Sequence, residues 1–168
     1  GWIGKNTCLI NRKLGSFFFI GVLLTTLELA DLQTLLATPS PIPYPPKDFC
    51  GQCNACLKNC PTQAFASARV LDARKCISYL TIEHRGEIPP ELANELQGWV
   101  FGCDICQSVC PWNRKTTPIQ PLAQEQKNLE WLASASNSQI QKKFFGSPLM
   151  RARPSGLRRN AKLALSKT

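Results

Sequence analysis

The chain has 168 residues, 43% hydrophobic and 18% charged, with nine cysteines and a formal net charge of +9. That length holds one ordinary domain, or two small ones stapled by something besides apolar burial, and an odd cysteine count excludes a fully paired disulfide framework. The charge is lopsided: Lys142 to Thr168 carries eight basic residues and no acid, so the rest of the chain is nearly neutral.

A one-sided basic end points to a polyanionic partner, nucleic acid before membrane, because phosphates repeat at a spacing that several Lys and Arg can match together. A solvated helix face is the plain alternative for the same charges.

At the start, "GWIGKN" reads as the interior of a longer sequence, and the chain is expected to be a fragment. From Thr7 to Thr26 a short apolar piece (Cys8, Leu9, Ile10) precedes a polar turn from Asn11 to Gly15 and then an aromatic and β-branched run. This pattern predicts two strands around a loop, the second buried on both faces. The run Phe17 to Leu27 is shorter than the ~20 apolar residues a bilayer span takes, and Glu28 and Asp31 close it. No signal-peptide cleavage site follows in clear register. A cytoplasmic protein with no membrane partner is therefore expected, and in a reducing compartment densely spaced cysteines mean metal or redox chemistry.

Leu27 to Leu36 has helix-compatible spacing, and Thr38 to Pro46 then places five prolines in nine residues, an extended linker. These breaks divide the chain into residues 1–37, a Pro-rich linker 38–47, a cysteine-bearing unit 48–116 and a helical end 117–168. Pro89 and Pro90 with Glu91 predict a helix start inside the cysteine unit, whose core is small, as expected if metal binding supplies much of its folding energy. Beyond Pro121 two helices are predicted, Gln124 to Phe145 with Leu129, Leu132, Ile140 and Phe144 as core positions, and Leu157 to Leu165. Together they resemble one incomplete turn of an α-solenoid.

The chemistry sits in "CGQCNACLKNCP", Cys50 to Pro61, which has the C-x2-C-x2-C-x3-C-P spacing of bacterial ferredoxins. Three thiolates three residues apart wrap one cuboidal iron–sulfur cluster, while the fourth, turned away by the proline, serves another cluster. The second run is "CDICQSVCP", with Cys103, Cys106 and Cys110. Adding Cys76 brings the total to eight thiols, the number two 4Fe–4S clusters need. We expect Cys50, Cys53, Cys56 and Cys110 at the first cluster, and Cys60, Cys76, Cys103 and Cys106 at the second. Two tetrahedral zinc sites are the structural alternative. Cys8 is left over and is expected to be a small buried apolar residue; His84, the only histidine, is expected in a surface or satisfied polar role.

Five stretches in order, "GWIGKNT", the Cys50 run, "LDARKCISYLTIEHRG", "GWVFGCDICQSVCPWN" and "FFGSPLMRARPSGLRRNAKLAL", resemble the epoxyqueuosine reductase family over nearly the whole chain. The resemblance implies an α+β fold: the C-terminal piece of a cobalamin-binding β-sheet domain, a ferredoxin-like double 4Fe–4S domain and a short HEAT-like helical end. It implies an oxidoreductase that reduces epoxyqueuosine to queuosine at the tRNA wobble position, with electrons from an external donor passing through two clusters to cobalamin. By motif, corrin contacts would come from Asn6, Leu9, Ile20, Ser78, Cys103 and Asp104. The polyanion becomes a tRNA anticodon stem-loop, with Arg85, Lys142, Arg151, Arg153, Arg158 and Arg159 as candidate contacts; for Arg85 a salt bridge to Glu83 or Glu87 is the alternative. The family's proton-donating aspartate is expected in a segment preceding "GWIGKN", and Asp31, Asp48 and Asp72 do not match its motif. The chain by itself is expected to be inactive, and a monomer. The rival readings are an electron-transfer module of another cobalamin enzyme, akin to the reductive dehalogenases, and a tRNA-binding remnant without chemistry.

Overall fold

The structure is a computed structural model that describes residues 1–28, 30, 31, 34, 47–114 and 126–166. Strand β1 (Trp2–Ile3) pairs antiparallel with β2 (Leu9–Ile10), Trp2 opposite Ile10 and Ile3 opposite Leu9. The turn between them closes through Gly4 N to Cys8 O at 2.8 Å and Thr7 N to Gly4 O at 3.0 Å. The polar turn read from the sequence is present, Asn11 and Gly15 exchanging backbone hydrogen bonds at 2.7 and 2.9 Å. Gly15 has φ +69, and a Cβ there would collide with the Asn113 side chain, so the position requires glycine.

The buried strand predicted for Phe17 to Leu27 is not observed. The run is extended without strand pairing, and Phe19, Val22, Leu23 and Leu24 are 82–104% exposed. Its composition asks for cover on both faces, and among the described residues no element supplies it. Of Leu27 to Leu36, only scattered residues are described, Ala30, Asp31 and Thr34 as helical; the proline linker and residues 115–125 lie outside the described residues.

The cysteine unit is built from short pieces: α1 (Ala55–Lys58), a bulged hairpin of β3 (Phe65–Ser67) and β4 (Val70–Leu71), α2 (Ile77–Ile82), α3 (Pro90–Ala93) and α4 (Ile105–Ser108). Helix α3 starts where the sequence reading placed a start, with Pro90 in its first turn, where the missing N–H costs nothing. The hydrophobic filling is modest: Ile77, Leu80, Ile88, Ala93 and Leu96.

Among the described residues the helical end holds three α-helices rather than two: α5 (Gln126–Ser134), α6 (Asn137–Lys143) and α7 (Arg153–Leu165). The single helix expected from Gln124 to Phe145 is interrupted because Ser136 and Gln139 form a capping box, which starts a new helix in the middle of the run. The foreseen core positions hold: Leu132 and Ile140 are buried, with Leu129 and Phe144 packed against the same cluster, alongside Ala152, Leu157, Ala161 and Val100.

Val100 belongs to the cysteine unit, so the helical end shares a core with it. Polar ties reinforce the joint. Asn160, wholly buried, donates to Thr81 O and Val100 O at 2.8 Å each. The neighbouring Arg159 guanidinium caps the end of α2, donating to Leu80 O at 2.8 Å, His84 O at 3.1 Å and Gly86 O.

Candidate metal centre

The two cysteine runs share a local geometry. Cys53-Asn54-Ala55-Cys56 opens α1 and Cys103-Asp104-Ile105-Cys106 opens α4, each a four-residue helix whose run ends in Cys-Pro. The residues before the helices adopt nearly the same backbone, Asn54 at φ −127, ψ 22 and Asp104 at φ −112, ψ 11. Helices α1 and α4 pack on each other. One short ligand-bearing segment is thus used twice, with the two copies in contact.

Cys110 lies away from its own run. A cavity of about 250 Å³ is lined by Cys50, Cys53, Cys56 and Cys110, together with Lys5, Asn6, Ile10, Phe49 and Trp112. Three aromatic rings shield this side, Trp2 standing edge-on to Phe49 at 5.0 Å and to Trp112 at 5.1 Å between centroids. Trp2 packs in the same set as Cys110 and Cys50, and its indole N–H is buried without a hydrogen-bond partner, a donor left over beside the thiols. Among the described residues no three His, Cys, Asp or Glu converge as closely as a single ion requires. The room is for a group of several atoms.

Around the second run, Cys103 is influenced by Cys76 and Cys60, and Cys106 by Cys8, Cys103 and Cys76. Burial, with the neighbouring Cys76, Asp104 and Cys60 charges, pushes the Cys103 thiol up to about 11. Burial also raises Cys56 and Cys110, the second of which feels Cys50 and Cys53. Thiols so held keep their protons until a metal displaces them. Cys60 Sγ accepts the Ala64 N–H at 3.3 Å, a backbone donor of the kind that supports a ligating sulfur.

Cys8 corrects the sequence reading. It is half-buried rather than core, and its thiol interacts with that of Cys106, which lowers Cys8 and raises Cys106. The cause is Asn6, buried, whose Oδ1 accepts from Cys8 N at 3.3 Å while its Nδ2 donates to Cys106 O at 3.2 Å. His84 is in a satisfied polar role, its Nε2 at 2.9 Å from Glu87 O.

Of the residues singled out for the corrin, Asn6, Cys103 and Asp104 surround the second thiol set, Leu9 lies on the hairpin and Ser78 on α2 two residues beyond Cys76. Ile20 is 65% exposed on the uncovered run and is not brought to them.

Residues 49–113 match the family described as a 4Fe-4S double cluster binding domain. An epoxyqueuosine reductase of Synechocystis is 42% identical over 173 residues, covering 98% of this chain and 56% of the relative. One from Pseudomonas aeruginosa is 45% identical over 161 residues, covering 90% and 41%. Over the part it spans, the chain is similar to these epoxyqueuosine reductases. Its backbone agrees: the structure of the Streptococcus thermophilus epoxyqueuosine reductase superposes with a TM-score of 0.78 at 30% identity, covering 99% of this chain and 42% of that one. Another epoxyqueuosine reductase, solved with a tRNA-Tyr epoxyqueuosine-modified tRNA stem loop, gives 0.72 at 26% identity, covering 99% and 43%. The chain spans about half the length of the curated epoxyqueuosine reductases it matches.

The basic residues named for RNA divide into two kinds. Lys142 and Arg153 are exposed. Arg151 pairs with Glu83 at 2.5 Å, Arg158 donates to Asn137, and Arg85 donates to Ile82 O at 3.1 Å and Arg151 O at 3.0 Å, with Glu83 at 3.8 Å. Arg159 is committed to the backbone carbonyls at the end of α2. Sequence reasoning also missed Lys5 and the aromatic trio, for which spacing gives no signal: each is brought to the thiols only by the fold.

Proposed function

We propose that this chain forms the electron-carrying part of an epoxyqueuosine reductase, which converts epoxyqueuosine to queuosine at the wobble position of tRNA. The observation that carries the reading is the cavity in which Cys110 joins Cys50, Cys53 and Cys56. A self-contained run would close on Cys60; here the fourth wall comes from the second run, as in a two-cluster ferredoxin. Cys60, Cys76, Cys103 and Cys106 would hold the second 4Fe–4S cluster.

The net reaction consumes two electrons and two protons: the epoxide oxygen leaves as water and a carbon–carbon double bond forms. Cobalamin, when bound, supplies a strongly reducing metal centre close to the C–O bonds that break. This chain's residues would position it from the second thiol set, through Asn6, Leu9, Ser78, Cys103 and Asp104, with Ile20 on the apolar run. That run, Phe19 to Leu24, offers an uncovered apolar surface to the cobalamin-binding sheet domain, of which residues 1–37 would be a part. Bound clusters would supply single-electron transfer from an external donor; of the thiols that would hold them Cys110 is buried, Cys53 is exposed and the rest are half-buried.

The proton donor is assigned to none of the aspartates here. Asp48 pairs with Arg69 at 2.7 Å and accepts from Cys50 N at 2.8 Å, and Asp72 caps a helical turn and pairs with Arg74 at 2.9 Å. Both are structural. The helical end would form a HEAT-like surface on which Lys142 and Arg153 meet tRNA backbone phosphates, with Arg85, Arg151 and Arg158 available only at the cost of existing contacts.

The test is anaerobic reconstitution with iron and sulfide, iron counting, and nucleoside analysis of epoxyqueuosine-containing tRNA after incubation of the full-length parent protein with cobalamin and reductant. Eight irons per chain and conversion to queuosine are expected. Eight irons without conversion would leave only an electron carrier. Cys110→Ala should damage the cluster bound by Cys50, Cys53 and Cys56, and Cys60→Ala the one bound by Cys103 and Cys106; the reverse would show that each run holds its own cluster.

A further inference from the structure

The two helix-opening segments share a local backbone, so a difference in the charges around them stands out. At the position after the first cysteine of each helix-opening pair, Cys53 and Cys103, one run has Asn54 and the other Asp104, on nearly the same backbone. Lys5 reaches across from the β1–β2 turn to the Asn54 side only. Its ammonium donates to Gly51 O at 2.7 Å and to Asn54 Oδ1 at 2.9 Å, inside the Cys50–Cys56 loop, and it lines the cavity with the four thiols. At the equivalent place in the second run stands the Asp104 carboxylate, half-buried and oriented by Gln107 Nε2 at 2.9 Å. One site therefore carries a cation where its twin carries an anion.

Other charges nearby do not repeat this contrast: Asp48, which accepts from Cys50 N at 2.8 Å, is neutralised by its ion pair with Arg69 at 2.7 Å. Lys58 and Lys75 each adjoin a run or its partner cysteine, but both are exposed, where water and salt screen them. Backbone groups act on sulfur on both sides, Ala64 N donating to Cys60 Sγ at 3.3 Å and the Trp112 backbone opposing the rise of the Cys110 thiol. Asn6, next to Lys5, ties the same turn to the second run through Cys106 O, so the turn straddles both sites with its charge on one.

Resting on the double-cluster reading above, we propose that Lys5 and Asp104 split the reduction potentials of the two clusters. The one held by Cys50, Cys53, Cys56 and Cys110 becomes the easier to reduce. Each cluster takes up one electron from a low-potential donor, with no bond made or broken and no proton moved. Reduction adds negative charge, which a fixed cation stabilises and a fixed anion opposes, most strongly where the charge is partly buried. The first cluster fills first, and the second, on the Asn6 and Cys8 side, passes its electron on more readily. Lys5 is a positioning residue for the charge balance and ligates nothing.

The experiment uses the whole 168-residue chain, reconstituted anaerobically with iron and sulfide and titrated with dithionite while the paramagnetic signal of each reduced cluster is followed. Two separated steps are expected. Lys5→Met should lower the upper step and leave the lower one in place, Lys5→Arg should keep the original separation, and Asp104→Asn should raise the lower step, each with iron content unchanged. The proposal is overturned if the parent chain shows a single unresolved step, if Lys5→Met moves neither or both steps, or if it loses the iron of one cluster, which would make Lys5 a loop tie alone. Failure of the parent chain to bind iron and sulfide at all would instead sink the double-cluster reading beneath it.

Discussion

The helical end and the apolar run Phe17 to Leu27 are both rich in large hydrophobic side chains, yet one is docked and the other is bare. In the helical end, Leu157 and Ile140 are at most 1% exposed, and Asn160 and Arg159 tie α7 to the carbonyls of the cysteine unit. In the run, Phe19 is wholly exposed, and among the described residues no element packs on it. The difference teaches that apolar composition states a demand for cover, whereas burial needs a partner whose polar groups are satisfied at the seam.

Substitutions can break that contrast from the docked side. Leu157→Ala empties the shared core and should destabilise by about 2–5 kcal/mol, read as a lower denaturation midpoint of the cluster-loaded chain. Asn160→Leu keeps the volume but strands the carbonyls of Thr81 and Val100, for an expected loss of about 2 kcal/mol; earlier proteolysis of the helical end, with iron content retained, would locate the damage at the seam. An undiminished midpoint would mean the two units are held by something else.

A weaker tie operates on the N-terminal side. Asp48 accepts from Cys50 N and pairs with Arg69, whose Nε donates to Ile3 O at 3.0 Å. The Cys50 N–H first, then Arg69, hold the Asp48 carboxyl below its ordinary range. With the folded pKa depressed, its stabilisation is present above the ordinary carboxylate pKa and is lost as pH falls through the lowered one. Asp48 is substantially exposed, so screening keeps the effect under about 1 kcal/mol; Asp48→Asn should flatten the acid limb of a stability profile by that amount. At the bare end, Phe19→Ser should change the stability of this chain by no more than about 0.5 kcal/mol. A large loss there would show that the run is covered after all.

What could be read from sequence follows the range of the forces involved. Cysteine spacing is local chemistry, so the two runs and the likeness to a double-cluster domain were legible from residues alone. The core positions Leu132 and Ile140 were legible because helical periodicity is local too. The break at Ser136 was missed because a capping box competes with a helix that propensity alone would carry through. Arg159 read as an RNA contact because a charge in a sequence does not reveal that its fork faces three backbone carbonyls. Cys8 read as core because only the fold brings Asn6 across to Cys106.

The wall that Cys110 contributes to the Cys50 cavity also bears on biogenesis. Cys50, Cys53 and Cys56 leave the ribosome well before Cys110, so a nascent chain at that stage displays three thiols with no enclosure around them. Iron delivered then would meet an open, oxidisable site; iron delivered after Trp112 has emerged meets a walled one. On the proposed assignment, the order of the amino acids would make loading of that site a late event, gated by completion of the unit rather than by the appearance of its first ligands.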